Sequence, residues 1–286
     1  MKEKSDPWLV ALLLLPGCGL IVLLVGAVVV MAVVQSVGYF NFAGESGFTL
    51  SHWKDQMSSH RLWRSFGYSL KIATLSSVLS VLAAYPLALW FRKPFKGSAF
   101  ISSLLKAPLL VHGLVAAFLY VNFISFNGFL NQLLMFIGLI HDPIRMQNDE
   151  RGIGVIILQL WKQMPFALLL LTGAVQAIGD DILLAAQDLG APAFARFRKV
   201  IAPLTLKSLQ AALVIIFIGA AGDYSFQVIA GPVNVNSITQ YMYIIQNESG
   251  GWNQAAVVAI MLMAFSLVGS LALAAIAQAV VKRGQA

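Results

Sequence analysis

The side chains that most often carry enzyme chemistry are few and scattered in this sequence. Its four histidines lack a metal-ligand spacing such as His-x-x-x-His, and Cys18 is the single cysteine. The chain has no Gly-x-x-x-x-Gly-Lys-Ser/Thr loop that would cradle the phosphates of ATP. We therefore predict no catalytic residue, no metal site and no cofactor bound by this chain. His112 lies in an apolar segment and is expected to pack between helices.

One carboxylate is notable because of its apolar surroundings. Asp223 follows the run 209–221, which contains no charged residue. An ionisable group inside a membrane segment is costly and usually faces a cavity or a partner. Two interpretations stay open: Asp223 lines a path and attracts a cationic substrate group, or it forms hydrogen bonds across a subunit interface or to Lys106 or Lys162. Other candidates for lining such a path are Asn122, Lys106, Tyr224 and Gln227.

The composition places these residues in a membrane protein. The 286 residues are 59% apolar and 11% charged, whereas soluble domains average about 50% apolar and about 25% charged. A helix that crosses a bilayer needs about 20 mostly apolar residues. Six segments meet this need: 8–34, 66–91, 99–122, 152–178, 205–229 and 254–281. We predict one all-α, polytopic membrane domain, 1–286, with six transmembrane helices, which excludes a soluble enzyme, a disordered chain and a disulfide scaffold.

Several local features refine these spans. The first span is too long for a signal peptide and has no small-x-small cleavage site, so we expect it to be retained. The segment 128–140 is too short to span and is expected to lie on the membrane surface. Trp161 and Lys162 are expected to anchor the fourth span at the membrane interface. Kinks are predicted at Pro86, Pro108 and Pro165.

The distribution of Lys and Arg predicts the orientation of the spans. The two chain ends, which include Lys2 and Lys4, and the connections 92–98 and 179–207 together hold eleven of the 19 basic residues. The opposite connections hold five, so we expect both termini in the cytoplasm. The net charge of +7 therefore indicates topology and contact with anionic lipid headgroups rather than a nucleic-acid partner.

The longest polar connection on the predicted cytoplasmic side, 180–203, has the pattern of two short helices. Asp180 and Asp181 suit a helix start, Gly190 suits its end, and Pro192 suits the first turn of a second helix. Helices this short are marginal alone in water. Their apolar face needs either a cytoplasmic partner protein or packing on lipid headgroups and helix ends, and both alternatives stay open here.

This connection resembles the EAA loop of ABC-importer permease subunits. The family pattern is Glu-Ala-Ala, three residues, Gly, nine residues, an Ile-like residue, one residue and Leu-Pro. The spacing matches here, although Leu184 replaces the Glu and Ala202 replaces the Leu. The resemblance implies a coupling helix that docks on an ATPase subunit. The docking residues so implied are Asp181, Leu184, Ala185, Ala186, Asp188, Leu189, Gly190 and Pro203.

Other segments resemble the polyamine-type branch of these permeases. They are 127–131, 142–145, Gly222-Asp223-Tyr224 and Gly231-Pro232. The resemblance implies a type I ABC importer permease of the bacterial inner membrane, with a polyamine or related cationic or amino compound as the favoured solute. It also implies an identical or homologous second permease, a periplasmic binding protein, and two ATPase subunits that hold ATP and magnesium.

Two other protein classes were weighed against this resemblance. A secondary transporter or channel needs no ATPase, but such proteins usually carry ionisable coupling residues at the membrane midplane, in paired or broken helices. A polytopic membrane enzyme needs His, Asp or Glu clustered at one membrane face, and this sequence has no such cluster. An ATP-independent transporter or channel is therefore the main alternative to the importer permease.

Overall fold

The computed structural model describes residues 7–41, 44, 46–248 and 250–284. Lys2 and Lys4, which entered the orientation argument, lie outside these residues. Within them all regular structure is helical, which confirms the predicted all-α class. The helices are α1 (Pro7–Ser36), α2 (Ser51–Ser58), α3 (His60–Trp90), α4 (Ser98–Lys106), α5 (Gly113–Phe123), α6 (Phe129–Phe136), α7 (Ile153–Gln176), α8 (Asp180–Asp188), α9 (Ala193–Arg196), α10 (Ala202–Leu204), α11 (Leu206–Ala221), α12 (Ser225–Ala230), α13 (Ile238–Glu248) and α14 (Trp252–Arg283).

Four of these helices, α1, α3, α7 and α14, are each long and apolar enough to cross a membrane. Two bent pairs supply two further spans if each pair counts as one. The pair Ser98–Leu110 and Gly113–Phe123 bends by 101°, and the pair Ala193–Leu204 and Leu206–Ala221 bends by 68°. The described helices are therefore consistent with the six predicted spans.

The third predicted span, 99–122, is not one helix. After α4, a short 3-10 helix at Ala107–Leu110 leads into an extended residue, Val111, and α5 starts only after His112. Pro108 lies in the 3-10 segment and has no N–H to continue an α-helix. His112 is exposed at this break, so the prediction that it packs between helices is wrong.

The fifth predicted span, 205–229, is also interrupted. The helix α11 ends at Ala221, and α12 starts at Ser225. By contrast, α3 continues without a break past Pro86, and α7 continues without a break past Pro165. A proline inside a membrane helix is tolerated where neighbours satisfy the freed carbonyl.

The described parts of 1–60 and 242–261 form one compact unit. Polar contacts hold the end of α1 within it. The Asn253 amide, buried in this unit, donates hydrogen bonds to the carbonyl oxygens of Gln35, at 2.7 Å, and Tyr39, at 3.0 Å. The Trp53 indole N–H donates to the Ser36 hydroxyl at 3.3 Å.

The described parts of 61–241 and 262–286 form a second unit with several clusters of buried side chains, two of which lie beside the candidate sites. The first joins α3, α7 and α11 through Ala84, Ala88, Leu168, Leu171, Leu213 and Ile216. The second joins α3, α5, α7 and α12 through Tyr68, Ile72, Ala117, Val155, Leu158 and Phe226. Because α3 and α7 belong to both clusters, they position the loop after α7 as well as the two helix breaks.

The segment predicted to lie on the membrane surface, 128–140, contains the short helix α6. Phe129 and Phe136 are exposed on it, whereas Asn131 is completely buried. The Asn131 amide group donates to the Ser125 carbonyl at 3.0 Å and to the Ile144 carbonyl at 2.8 Å. Its side-chain oxygen accepts the Ile144 N–H at 3.0 Å. The Asn131 side chain therefore links the segment just before α6 to the segment after it.

Candidate functional site

The first candidate site is the loop between α7 and α11. Its first helix, α8, starts at Asp180, as predicted. It ends in a Schellman turn: the Gly190 N–H donates to the Gln187 carbonyl at 2.8 Å and the Ala191 N–H to the Ala186 carbonyl at 3.0 Å. Gly190 has φ +79°, a left-handed conformation that favours glycine. The predicted helix end at Gly190 is therefore confirmed.

The second half of this loop is anchored in the protein core. Pro192 immediately precedes α9 rather than lying in its first turn. A π-helical turn, Phe197–Ile201, then follows. The Phe197 ring packs edge-on against Tyr85 of α3, with ring centroids 5.3 Å apart, and the Tyr85 hydroxyl is hydrogen-bonded to Thr205. These contacts fix the end of the loop to α3.

Both helices of the loop expose apolar side chains to their surroundings. Leu184 is 54% exposed, Leu189 88% and Phe194 72%. Large apolar side chains exposed this close together in a polar loop are typical of an interaction surface. Of the other residues implied to dock, four are exposed and two half-buried: Asp181, Ala185, Asp188 and Gly190 are exposed, and Ala186 and Pro203 are half-buried.

Arg92 holds the start of α8 in place. Its guanidinium lies 2.7 Å from the Asp180 carboxylate and donates to the Ile178 carbonyl at 2.9 Å. The Gln176 amide donates in the opposite direction, to the Phe91 carbonyl at 2.9 Å. In the sequence, Arg92 is recognised only as one of the basic residues that predict the orientation of the spans. Nothing in the sequence pairs it with a residue 88 positions away, so this contact was missed.

The second candidate site is the break between α11 and α12. The Asp223 carboxylate accepts the Phe226 N–H at 3.1 Å and also interacts with the Ser225 N–H and the Gln159 side chain. Its backbone carbonyl accepts the Thr239 hydroxyl at 2.9 Å. Asp223 therefore caps the start of α12.

Two buried amides extend this polar break. Gln227 is 2% exposed and Gln159 of α7 is 1% exposed. The Tyr68 hydroxyl of α3 donates to the Gln227 side-chain oxygen at 3.0 Å. The structure thus brings Asp223 and Gln227 together with Tyr68 and Gln159, which the sequence analysis did not name. Tyr224 lies half-buried at the same break.

Lys162 of α7 supports the break between α4 and α5. Its ammonium donates to the carbonyl oxygens of Pro108 at 2.9 Å, Leu109 at 3.3 Å and Val111 at 2.5 Å. These carbonyls lie at or just after the end of a helix, where backbone acceptors lack their usual helical partners. The Pro108 carbonyl also accepts the Val111 N–H at 3.3 Å. The Lys162 ammonium is therefore bound at this break rather than to Asp223. The anchoring of Trp161 and Lys162 at the membrane interface stays a prediction.

The remaining predicted path residues lie apart from this polar break. Gly113, at the start of α5, lies near Ser225 of α12, with 3.5 Å between its ideal Cβ position and the Ser225 Cβ. Asn122 is nine residues further along α5, about 14 Å at the helical rise, and its amide donates to the Phe118 carbonyl at 2.8 Å. Lys106 ends α4, before the bend.

In the described residues, His, Cys, Asp and Glu form no group of three that could hold a metal ion.

A known protein family matches the part of the chain that contains the loop and both helix breaks. The profile of the family "Binding-protein-dependent transport system inner membrane component" matches residues 76–282. That range includes the loop between α7 and α11 and both helix breaks. It therefore covers the residues of the candidate sites described above, except Tyr68.

Three curated relatives are permease proteins. The spermidine/putrescine transport system permease protein PotB of Haemophilus influenzae is 31% identical over 157 residues, 54% of each chain. Its Escherichia coli counterpart is 29% identical over 157 residues, 54% of this chain and 56% of its own. The thiamine transport system permease protein ThiP of Brucella abortus is 34% identical over 159 residues, 54% of this chain and 28% of its own. The alignments thus span about half the length of the PotB relatives.

Solved structures share the fold. A bacterial ABC transporter involved in the import of the acidic polysaccharide alginate matches with a TM-score of 0.74 at 19% identity, over 96% of each chain. A complex of a bacterial alginate ABC transporter with an alginate pentasaccharide-bound periplasmic protein matches with a TM-score of 0.77, also at 19% identity over 96% of each chain. The family match over 76–282 shows that this chain belongs to the inner-membrane permease components of binding-protein-dependent transport systems, the type I ABC importer permeases of the bacterial inner membrane.

Proposed function

We propose that the chain is the permease subunit of an ATP-driven importer and acts as one domain, 1–286, with both termini in the cytoplasm. The exposed apolar residues Leu184, Leu189 and Phe194 carry this proposal. They lie on α8, on the Schellman turn that ends it and on α9, and side chains so exposed on a polar loop need a partner. The proposed partner is one of two cytoplasmic ATPase subunits that hold ATP and magnesium. A second permease and a periplasmic binding protein complete the proposed complex.

In this proposal the loop 180–203 transmits the ATPase cycle to the membrane helices. ATP binding closes the ATPase pair, moves the loop and switches the path from inward-facing to outward-facing. Hydrolysis then resets it. The division of the loop supports such a role. Ile182 and Leu184 of α8 are exposed, whereas Leu183, Phe197 and Ile201 pack against the core. A force applied to α8 is thereby delivered to α3, α7 and α11.

Uptake by reconstituted complexes tests the energy source. We expect uptake only with ATP inside the compartment that faces the loop, and loss of most uptake in Leu189→Asn. Val233→Asn, which changes an equally exposed apolar residue at 81% exposure, is the control and should transport normally. Uptake without ATP would indicate the secondary transporter or channel instead. Normal ATP-driven uptake by Leu189→Asn would remove Leu189 from the docking surface.

For the solute we propose a polyamine or a related cationic or amino compound. Asp223 supports this choice, since it places a carboxylate in a buried polar break of a membrane segment, where its charge favours a cation. The names of the PotB relatives agree with this class. The name of ThiP, a thiamine transport permease, makes thiamine the second candidate.

Two measurements test the solute class. Calorimetric titration of the cognate binding protein with spermidine, putrescine and thiamine should give tight binding for a polyamine. Uptake of that ligand should fall at least tenfold in Asp223→Asn, which removes the charge but keeps an oxygen that caps α12. Unchanged uptake in Asp223→Asn would show that this carboxylate has no role in passage. Binding of thiamine alone would replace the proposed solute.

A further inference from the structure

We propose that Arg92 is a positioning residue that links the docking loop to α3 and so passes the movement of the loop to the polar break. The inference rests on the proposed function, because it presumes that the loop moves with an ATPase. It concerns a residue outside the loop and outside the candidate path. Three observations carry it: the contacts of Arg92, the continuity of α3, and the contact of α3 with α12.

The first observation is that Arg92 binds two residues of the turn between α7 and α8. It donates a hydrogen bond to the carbonyl of Ile178, two residues after α7, and forms an ion pair with Asp180, the first residue of α8. The Arg92 side chain is only 15% exposed. A guanidinium can hold two acceptors at once because its donors form a rigid fork. A displacement of the start of α8 is therefore felt at Arg92.

The second observation is that a separate hydrogen bond joins the same two segments in the opposite direction. The Gln176 amide donates to the Phe91 carbonyl, so residues on each side of the junction bind the turn that follows α3. Lys93 adds a longer contact to Asp180, at 3.6 Å. Breaking the Arg92–Asp180 pair leaves the Gln176 contact in place. We therefore expect the loop of the variant to stay folded, while the start of α8 loses its ion pair with the turn that follows α3.

The third observation is that α3 connects this turn to the polar break. The helix runs from His60 to Trp90 without interruption. From Arg92 to Tyr68 is about 36 Å at the helical rise. Tyr68 binds Gln227 of α12 at 3.0 Å. A single rigid element thus joins the docking loop to the break that Asp223 caps.

Spatial connection alone also fits a residue that only stabilises the fold. The two roles differ in one measurable ratio, the ATP hydrolysed per solute imported. A structural role lowers uptake and hydrolysis together, because fewer complexes assemble. A coupling role lowers uptake while hydrolysis continues, so the ratio rises.

The experiment uses the full complex in proteoliposomes, with uptake and hydrolysis measured on the same sample. We expect Arg92→Gln to raise the ratio at least fivefold, with Arg92→Lys intermediate. Arg92→Gln also removes the bond to Ile178, so Asp180→Asn serves as a second variant that keeps this bond and removes the ion pairs of Asp180 with Arg92 and Lys93. It should raise the ratio similarly, and the double variant should add little. Lys96→Gln, an exposed basic residue of the same connection, should stay within twofold of the wild type.

Several outcomes would overturn the inference. An unchanged ratio in both Arg92→Gln and Asp180→Asn, or a parallel loss of uptake and hydrolysis, would make the pair purely structural. An equal rise in Lys96→Gln would assign the effect to the cytoplasmic charge of this connection. If the wild-type complex shows no ATP-dependent uptake, the proposed function fails and this inference fails with it. Normal wild-type uptake with unchanged ratios overturns the inference alone.

Discussion

The Lys162 ammonium donates a hydrogen bond of 2.9 Å to the Pro108 carbonyl, across the break between α4 and α5. It also binds the carbonyls of Leu109 and Val111. A membrane offers no water to satisfy such groups, so protein side chains must do so. A charged donor is well suited, since charge-assisted hydrogen bonds are stronger than neutral ones. Lys162 thus makes a sharp bend possible within an apolar segment.

Lys162→Met should destabilise the folded protein by removing the ammonium that binds three carbonyls at this bend, while keeping an apolar stem of similar length. We expect a loss of about 1–3 kcal/mol, because these carbonyls lose their donor. Thermal unfolding of the purified protein in detergent measures the change. Lys207→Met, at an exposed lysine of α11, is the control and should unfold like the wild type. Equal melting temperatures for both variants would contradict this role of Lys162.

Asp223→Ala and Asp223→Asn should separate capping from charge. The alanine variant loses the acceptor for the Phe226 N–H and should lose about 0.5–2 kcal/mol of stability, the usual cost of removing a helix cap. The asparagine variant keeps an acceptor and should melt close to the wild type. Thermal unfolding of the two variants side by side gives the comparison. If the alanine variant is as stable as the asparagine variant, the side chain does not cap α12.

Asn131→Ala should loosen the connection between α5 and α7. The change leaves the Ile144 N–H and carbonyl, together with the Ser125 carbonyl, without this partner. We expect faster amide hydrogen exchange over 137–150, by about tenfold or more, since a lost buried hydrogen bond costs about 1–3 kcal/mol. Gln132→Ala changes the adjacent exposed amide and should exchange at the wild-type rate. Identical exchange in both variants would rule out the proposed tie.

Gly190→Val should distort the end of α8. A β-branched residue at φ +79° is strained by about 1–2 kcal/mol, so the Schellman turn should open and the Leu189 side chain should shift. ATP hydrolysis by the assembled complex should then continue without matching uptake. The control is Gly173→Val, at a glycine of α7 with no atom within 4 Å of its ideal Cβ position. Coupled uptake at the wild-type rate in Gly190→Val would argue against a coupling helix here.

Much of the fold follows from patterns within single segments. Long apolar runs predict the helices α1, α3, α7 and α14, because lipid requires each to satisfy its own backbone. Short-range signals likewise predict the start of α8 at Asp180 and its end at Gly190. These features depend on neighbouring residues, which is why the sequence suffices for them.

The helix breaks and the contacts between distant segments could not be predicted from patterns within single segments. An apolar run does not reveal that Val111 and His112 interrupt it, because the partner that satisfies the broken backbone is Lys162, more than 50 residues later. The same holds for the pairing of Tyr68 with Gln227, which are 159 positions apart. Asp223 was singled out by its charge, but its role as a cap depends on where α11 stops.

The positions of Gln159 and Lys162 on α7 have a mechanical consequence. Residues three apart lie on neighbouring parts of one helix face, and these two serve different breaks: Gln159 interacts with Asp223 before α12, and Lys162 binds the carbonyls before α5. A turn of α7 about its own axis by one residue, about 100°, would withdraw both side chains at once. The Asp223 carboxylate would lose Gln159, and the carbonyls before α5 would lose their charged donor. We therefore expect α7 to tilt or shift together with α5 and α12 as a single body during transport, and not to rotate.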